Sequence, residues 1–516
     1  MPAAVTDGVS AVRPELPEPA PNRWKTLVFI ALAQLMVVLD ATVVNIALPS
    51  AQADLGFSDG NRQWVITAYA LAFGGLLLFG GRVADLWGRR RTFITGLVGF
   101  ALASALGGAA ATTGVLLASR ALQGVFGALL APAALSLLAV TFTEAKERAK
   151  AFGIYGAIAG GGGAIGLILG GVLTEYMDWR WTFFINIPIA AVAVAGAALV
   201  ITEPAGARNR SRLDVPGVAL ATLGLVSLVY GFTRAESHGW TEDVTLALFA
   251  ASAVLLGTFV AVEHRTKAPL LPLRVVADRN RGGVYLSLGL AVIGMFGLFL
   301  FLTYYLQVVR GYSPVASGLA FLPMVAGMVT GSTQIGARLM TRIAPRMLMA
   351  PGFLLAAVGM LVLTRIDVDT PYAGLILPGL LLMGLGMGTA FMPAMSLATH
   401  RVQPRDAGVA SAMVNTSQQV GGAIGTALLN TVAANATTDW VASHATPAAA
   451  GRALQVEAVV HGYSTAIGWA AGILTLASVI ALVLVNAGRQ DGAPGPAGGA
   501  RRPDGDAATA APVLAH

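Results

Sequence analysis

Asp40 and Arg120 are charged residues that lie inside long apolar segments of the sequence rather than at their ends. A charge at the centre of a membrane helix costs at least about 2.5–3.5 kcal/mol on insertion scales, so such residues are expected to face a wet cavity or one another. A carboxyl group there can take a proton from one side of a membrane and release it to the other. A nearby cation, either a substrate or Arg120, would compete with the proton, which gives a physical basis for antiport. The alternative is a static Asp40–Arg120 pair that only fixes helix packing.

Other kinds of reactive site are not indicated. The chain has no cysteine, and its six histidines show no ligand spacing, so we predict no catalytic residues, no cofactor and no metal. A P-loop needs a lysine that follows glycine, whereas the four lysines follow Trp, Ala, Ala and Thr. The sequence therefore predicts a protein that is not an enzyme and that uses an ion gradient rather than ATP.

Composition places the two charges in a membrane protein. Of 516 residues, 56% are hydrophobic and 11% are charged, and the mean hydropathy is +0.71. So few charges cannot cover the surface of a soluble protein, which excludes a soluble enzyme and a disordered chain. The apolar runs are too long and uniform for barrel strands. Fourteen of them could span a bilayer as helices: 25–48, 61–81, 92–112, 115–140, 149–172, 182–202, 214–233, 243–263, 283–308, 315–337, 347–365, 372–397, 406–432 and 461–487.

The basic residues predict the orientation of these segments. If the N-terminus is cytoplasmic, 26 of the 33 Lys and Arg residues fall on the cytoplasmic side, six fall on the other side, and Arg120 lies within a helix. This asymmetry follows the positive-inside rule and predicts that both termini are cytoplasmic. The net charge of +7 is then a consequence of topology, so no nucleic-acid partner is expected.

An internal repeat divides the chain. The motif GGAIG occurs at Gly162–Gly166 and at Gly421–Gly425, and two further helix pairs match at nearly the same offset. Ordered matches of this kind indicate duplication, in which helices 1–6 correspond to helices 9–14 and helices 7 and 8 are inserted; chance similarity of small-residue helices is the alternative. Two six-helix halves around a central cavity are typical of transporters. The predicted domains are a disordered arm, the first half, the inserted pair, the second half and a disordered tail: 1–22, 23–202, 203–263, 264–487 and 488–516.

Five motifs resemble the major facilitator superfamily and, within it, the 14-helix drug:proton antiporters. They are LDATVVNIALP, GRVADLWGRRR, RALQG, WRWTFFINIP and NTSQQVGGAIGTA, and they occur in family order from helix 1 to helix 13. The resemblance implies an all-α major facilitator fold. It also implies proton coupling by the acid of helix 1 and the arginine of helix 4, which are Asp40 and Arg120 here. The same two motifs contribute Asn45 and Gln123 as further proton-coupling or substrate candidates.

GRVADLWGRRR joins helices 2 and 3. Its glycines allow a tight turn and close approach, and Asp85 could cap helix 3 or pair with the arginines. The resemblance implies a gating loop that latches the cytoplasmic side; simple membrane anchoring by arginine is the alternative. The gating candidates are Gly81, Asp85, Gly88, Arg89, Arg90 and Arg91.

Helix 5 carries glycines along one face, which permits close packing and sliding of a neighbouring helix, and we predict helix 10 as that neighbour. The resembled antiporters have a Gly-Pro pair here, but Gly166 is followed by Leu167, so the bend that proline would cause is not expected. The hinge candidates are Gly156, Gly160, Gly163, Gly166, Gly170 and Gly171.

Substrate candidates are less specific. Aromatic and methionine residues crowd helices 9 and 12 and suit bulky apolar ligands, although such residues also face lipid or pack in cores. The cavity candidates are Tyr304, Asn415, Gln418 and Gln419, for which bonding between helices is the alternative. We therefore expect a monomeric plasma-membrane exporter of an amphipathic or apolar drug or secondary metabolite, driven by protons. Transport of another solute (osmolyte, lipid or peptide) and a non-transporting sensor are the alternatives.

Overall fold

A computed structural model describes residues 22–57, 59–201, 214–266, 269–400, 402–403, 406–444 and 452–488. Within those ranges the chain is helical and contains no strand. The helices before residue 201 are α1 (Arg23–Leu55), α2 (Asp59–Trp87), α3 (Arg89–Gly108), α4 (Thr113–Thr141), α5 (Ala145–Tyr176), α6 (Trp181–Phe184) and α7 (Asn186–Val200). The middle of the chain forms α8 (Val215–His238), α9 (Asp243–Arg265) and α10 (Leu273–Val276).

The remaining helices are α11 (Arg279–Tyr304), α12 (Pro314–Ala320), α13 (Leu322–Thr330), α14 (Ala337–Leu339), α15 (Arg346–Leu363), α16 (Leu377–Ala398), α17 (Ala407–His444) and α18 (Arg452–Leu484). Three π-helical segments, Tyr305–Val309, Gly331–Gly336 and Tyr372–Ile376, adjoin them. Side-chain caps start several helices, because the first backbone N–H groups lack a partner within the helix. Thr112 accepts from the Val115 N–H, and Asp278 accepts from the Arg281 N–H.

Among the described residues, twelve helical stretches are long and apolar enough to cross a membrane. The predicted segments 149–172 and 406–432 correspond to α5 and α17, which lie outside that set but have 32 and 38 residues. The structure is thus compatible with fourteen spans, a number that stays a prediction. The predicted sixth segment corresponds to α6 and α7, which meet at Ile185 and together form one of the twelve stretches.

The stretch 433–460, between the last two predicted segments, is helical for most of its length. Helix α17 continues to His444 and α18 begins at Arg452, while residues 445–451 lie outside the described ranges. The Thr437 and Thr438 hydroxyls donate to carbonyl groups four residues earlier. Threonines of an Ala/Thr-rich stretch can satisfy their hydroxyls inside a helix in this way, so the composition did not terminate α17.

The helices form two six-helix halves and an inserted pair. In the first half, α4 packs against α2 and α3, and α1 packs against α5 and α7. In the second half, α16 packs against α13 and α15, and α18 packs against α11, α15 and α17. The inserted helices α8 and α9 pack together, and α8 also contacts α2 and α17, one helix from each half.

Glycines in or one turn beyond the repeated motif face the first helix of each half. A Cβ added at Gly170 of α5, one turn beyond the motif, would lie 3.0 Å from the Cα atom of Val43 on α1, and one added at Gly425 of α17, within the motif, would lie 2.9 Å from the Cα atom of Ile293 on α11. Glycine therefore lets the first and fifth helices of each half approach at backbone distance. The boundaries of the halves stay a prediction, and the two predicted tails lie outside the described residues apart from their inner ends.

Candidate functional site

The carboxyl group of Asp40 is held by three side chains from two other helices. Arg120 Nη1 on α4 donates to Oδ2 at 2.7 Å. Gln123 Nε2 and Asn186 Nδ2 donate to Oδ1 at 2.7 and 2.9 Å. The relative exposures of Asp40, Arg120 and Asn186 are 1%, 2% and 0%, so the cluster is closed to solvent in this conformation.

A second layer of groups fixes these partners. Ser104 Oγ on α3 accepts hydrogen bonds from both Gln123 and Asn186, at 2.6 and 2.9 Å. The Arg120 guanidinium also donates to the Val65 carbonyl at 3.2 Å and lies 4.5 Å from the centre of the Tyr69 ring, a cation–π distance. Five helices thus contribute to one buried polar network.

Glycine explains how Arg120 reaches α2. A Cβ at Gly124 would lie 2.5 Å from the Tyr69 carbonyl oxygen, so only glycine lets α4 pack this closely against α2. Arg120 and Gln123 are one turn apart on α4 and therefore face the same neighbour. Asn186 is the first residue of α7, and its side chain reaches Asp40 and Ser104 in the cluster.

Protonation of Asp40 would remove the negative charge of the Asp40–Arg120 ion pair. With Asp40 ionised, the carboxylate and the guanidinium neutralise one another, and burial makes the loss of either partner costly. A proton on Asp40 would leave the Arg120 charge with only the Val65 carbonyl, the Gln123 oxygen and the Tyr69 ring. Protonation therefore changes the balance of forces that holds α1 against α4.

Sequence reasoning found Asp40, Arg120 and Gln123, which the structure brings together, but missed Asn186 and Ser104. Asn186 lies within WRWTFFINIP, and an asparagine in an otherwise apolar span was the available signal. Ser104 gave none, because serine is common in membrane helices. Asn45 lies on α1, but its side chain is outside the described part of the chain.

The predicted gating loop contacts the other half through Asp85, and we call the contact of Asp85 with Gly408 and Val409 the latch. Asp85, near the end of α2, accepts the backbone N–H groups of Gly408 and Val409 at 2.9 and 3.2 Å. These are free donors of the first turn of α17, so the carboxylate caps a helix of the other half and meets its positive dipole end. A Cβ at Gly81 would lie 2.5 Å from the Gly408 carbonyl oxygen, so glycines of both helices permit this contact.

The three loop arginines have different positions. Arg89 is buried and bonds to Asp85 at 3.2 Å and to Ser136 at 2.7 Å. Arg90 donates to the carbonyl groups of Ala197 and Ala198 at the end of α7, and Arg91 is exposed. Gly88 has φ 107°, which favours glycine at the turn into α3.

Two further contacts close the same end of the molecule. Arg148 of α5 donates to the Ser396 carbonyl at 3.2 Å and to the Thr399 hydroxyl at 2.7 Å, beyond the end of α16. The carboxylate of Asp406, just before α17, pairs with Arg274 at 2.6 Å. The halves are therefore joined at the latch end by hydrogen bonds from both α2 and α5.

The helix-5 glycines serve two partners rather than one. Added Cβ atoms at Gly163, Gly166 and Gly170 would meet Thr42 or Val43 of α1, whereas Gly156 faces Ser332 and Gly171 faces Val315 of the second half. The surroundings of Gly160 lie outside the described part of the structure. The region predicted as helix 10 does contact α5, but its Gly327 and Gly331 face α16.

The predicted cavity residues do not converge. Tyr304 is 51% exposed, and Asn415 donates to the Ser411 carbonyl of its own helix. Gln418 and Gln419 are half-buried, and a Cβ at Gly74 of α2 would lie 3.8 Å from Gln419, which puts that side chain between the halves. The helix-12 methionines, Met383, Met387, Met392 and Met395, are core residues.

A sequence profile described as Major Facilitator Superfamily matches residues 30–426. The chain belongs to this superfamily. It is therefore a multi-pass membrane transport protein and not an enzyme. The puromycin resistance protein pur8 of Streptomyces alboniger is 55% identical over 470 residues, which are 91% of this chain and 92% of that protein. The cephamycin export protein CmcT of Amycolatopsis lactamdurans is 40% identical over 413 residues, 80% of this chain and 85% of that protein.

Solved structures show the fold. The human organic anion transporter MFSD10 superposes with a TM-score of 0.61 at 16% identity, covering 89% of this chain and 100% of that one. The proton:xylose symporter XylE gives a TM-score of 0.59 at 13% identity, covering 90% of this chain and 96% of that one. These matches confirm the predicted all-α major facilitator architecture.

Proposed function

We propose that this chain exports an antibiotic-like small molecule from the cell in exchange for protons, by alternating access. The buried Asp40 network is the observation that carries the proposal, since it is a proton acceptor whose charge is tied to helix packing. The two named relatives, a resistance protein and an export protein for antibiotics, support the substrate class. We further propose that one copy suffices, because both halves belong to one chain, and that both termini are cytoplasmic.

Proton binding would act through the ion pair. The proton forms an O–H bond at the Asp40 carboxyl, and the net charge of the network rises from zero to +1. A buried, uncompensated guanidinium is costly, so an arrangement that exposes Arg120 to water or to an anionic group becomes favoured. This cost is the link between proton binding and the change of access.

Asn186 can serve both states of Asp40. Its Nδ2 group now donates to the carboxylate, while its buried Oδ1 atom has no hydrogen-bond partner among the described residues. Rotation of the amide by half a turn would place Oδ1 where Nδ2 lies and offer an acceptor to a protonated Asp40. Gln123 is less free to rotate, because its oxygen already accepts from Arg120 at 2.9 Å.

The test is uphill transport by purified protein in proteoliposomes. An imposed proton gradient should drive the accumulation of radiolabelled puromycin by the wild-type protein, together with substrate-dependent proton flux. Asp40→Asn should abolish both signals, and Asp439→Asn, an exposed acid on α17, is the matched control. Undiminished uphill transport by Asp40→Asn would refute the coupling role. Accumulation by the wild-type protein that does not depend on the imposed proton gradient would refute proton-driven export.

A further inference from the structure

The inserted helices bring two carboxyl groups together at the latch end. Asp214 precedes α8 and caps it, with Oδ1 accepting the Gly217 N–H at 3.0 Å, and Glu263 lies in the last turn of α9. A Cβ at Gly217 would lie 2.5 Å from Asp214 Oδ2 and 2.6 Å from Glu263 Oε1. The two carboxyl groups therefore face the same position beside Gly217, and Asp214 and Glu263 have relative exposures of 8% and 3%.

One oxygen of this pair lacks a partner. Glu263 accepts the backbone N–H groups of Leu270 and Leu271, at 3.2 and 3.0 Å, with one oxygen each. Asp214 Oδ2 is buried and has no hydrogen-bond partner among the described residues. A single proton between Asp214 Oδ2 and Glu263 Oε1 would satisfy that atom and remove the repulsion of two adjacent carboxylates.

Among the described residues of the surrounding elements, charged side chains pair with other groups or are exposed. His264 and Arg265 of α9 are exposed, and Arg274 of α10 pairs with Asp406. On α2, Asp85 binds the start of α17. Lys267, and the arginines that precede Asp214 (Arg208, Arg210 and Arg212), lie outside the described residues. Among those that are described, Asp214 is the charged group that acts on Glu263.

The Asp214–Glu263 pair is connected to the latch through Leu270 and Leu271, whose backbone N–H groups donate to Glu263. Leu270 and Leu271 are buried in one apolar cluster with Leu78 of α2 and Val409 of α17. Val409 is also a residue whose N–H group binds Asp85. Movement of the 270–271 segment would therefore disturb side chains packed against both sides of the latch.

We propose that Asp214 and Glu263 form a second proton-binding site, which shares one proton and clamps the segment that leads into the second half against the latch. With the proton bound, Asp214 donates to Glu263, and Glu263 holds both amides. Loss of the proton to water breaks that O–H bond and leaves two carboxylates that repel each other. Glu263 then moves from Asp214 and releases Leu270 and Leu271.

Hydrogen–deuterium exchange of the full-length protein in lipid nanodiscs tests the clamp without measuring transport. In the wild-type protein, exchange of the Leu270 and Leu271 amides, corrected with an unstructured peptide, should rise by roughly tenfold from mildly acidic to alkaline pH, the effect of losing one charge-assisted hydrogen bond. Asp214→Asn can donate permanently to Glu263 and should keep the amides protected at every pH. Glu263→Ala should leave them unprotected at every pH.

Asp243→Asn, an exposed acid on the same helix pair, is the control and should match the wild-type profile. A pH-dependent profile that Asp214→Asn shares with the wild-type protein would overturn the proposal, as would protection that is independent of pH in the wild-type protein. Protection that follows sodium concentration at constant pH would assign a cation in place of the proton. If Glu263→Ala does not fold, the exchange profiles of Asp214→Asn and Asp243→Asn still test the proposal. Asp40→Asn should leave the profile unchanged, so this proposal and the transport proposal fail separately.

Discussion

The latch offers a perturbation whose size can be worked out from its geometry. Asp85→Asn preserves the shape of the side chain but replaces one acceptor oxygen with an NH₂ group and removes the charge. Of the two hydrogen bonds to the Gly408 and Val409 amides, at 2.9 and 3.2 Å, one is lost and the other is no longer charge-assisted. The variant therefore weakens the end-to-end contact between α2 and α17.

The expected magnitude is about 2–4 kcal/mol. A hydrogen bond to a charged group contributes about 1.5–3 kcal/mol, and a negative charge at a helix N-terminus contributes about 0.3–1 kcal/mol. A loss of about 3 kcal/mol lowers the ratio of latched to open molecules by roughly a hundredfold, since each 1.4 kcal/mol is a factor of ten. The substitution should thus favour the conformation that is open at the latch end.

A single-cysteine accessibility assay can measure that shift, because the chain has no cysteine of its own. Ala412→Cys places a thiol on α17 opposite Gly81, where the alanine is buried. We expect slow maleimide labelling when Asp85 is present and labelling faster by about two orders of magnitude in the Asp85→Asn background. Asp439→Asn in the same cysteine background controls for the loss of one acidic residue.

Equal labelling rates with and without Asp85→Asn would refute the reasoning that Asp85 holds the two halves together. A faster rate that also appears with Asp439→Asn would show a general effect of charge on labelling. Faster labelling with a lowered unfolding temperature and no recovery of slow labelling on adding substrate would indicate unfolding rather than opening.

Three further outcomes are expected. Asn186→Ala should retain downhill substrate movement but shift the pH dependence of proton-coupled transport, because Asp40 loses one donor; an unchanged pH profile would leave Asn186 without a positioning role. Gly421→Val should destabilise the protein by about 1–3 kcal/mol through overpacking against the α11 backbone, whereas Gly422→Val meets only a flexible ring; equal unfolding temperatures of the two variants would contradict this. The pKa of Asp54 is lowered from 3.8 by the indole N–H of Trp179 that donates to it, and also by the guanidinium of Arg180. Its stabilising contact is therefore fully present above 3.8 and is lost as pH falls through the lowered pKa of the folded protein, so Asp54→Asn should flatten the acid limb of the unfolding profile.

Much of the fold was predictable because the bilayer restricts which structures can cross it. A membrane helix must satisfy its backbone internally and present an apolar surface, so length and hydropathy located the helices, and the repeat indicated two halves. The π-helical segments were not predictable, since they depend on which neighbours pack against the chain. Hydropathy did not indicate the helical parts of 433–460, because helix formation there does not depend on membrane burial.

The candidate site was predictable only in part. A charge within an apolar segment is visible in the sequence, which is why Asp40 and Arg120 were found. Asn186, Ser104 and the pair of Asp214 with Glu263 were not found, because a neutral polar residue or an acid near a helix end is ordinary in a membrane protein. Their importance arises from burial and from partners distant in sequence.

The sequence by itself determined the class of protein, the two charges inside apolar segments and the motif of the loop between α2 and α3, because each depends on residue type and local spacing. Tertiary structure alone decided how those groups are satisfied: Asp85 caps a helix of the other half, Asp40 binds residues 80, 83 and 146 positions away, and the helix-5 glycines face two partners. Hydrogen bonds and close backbone contacts act over a few ångströms in space, so their partners are fixed only when the helices have packed.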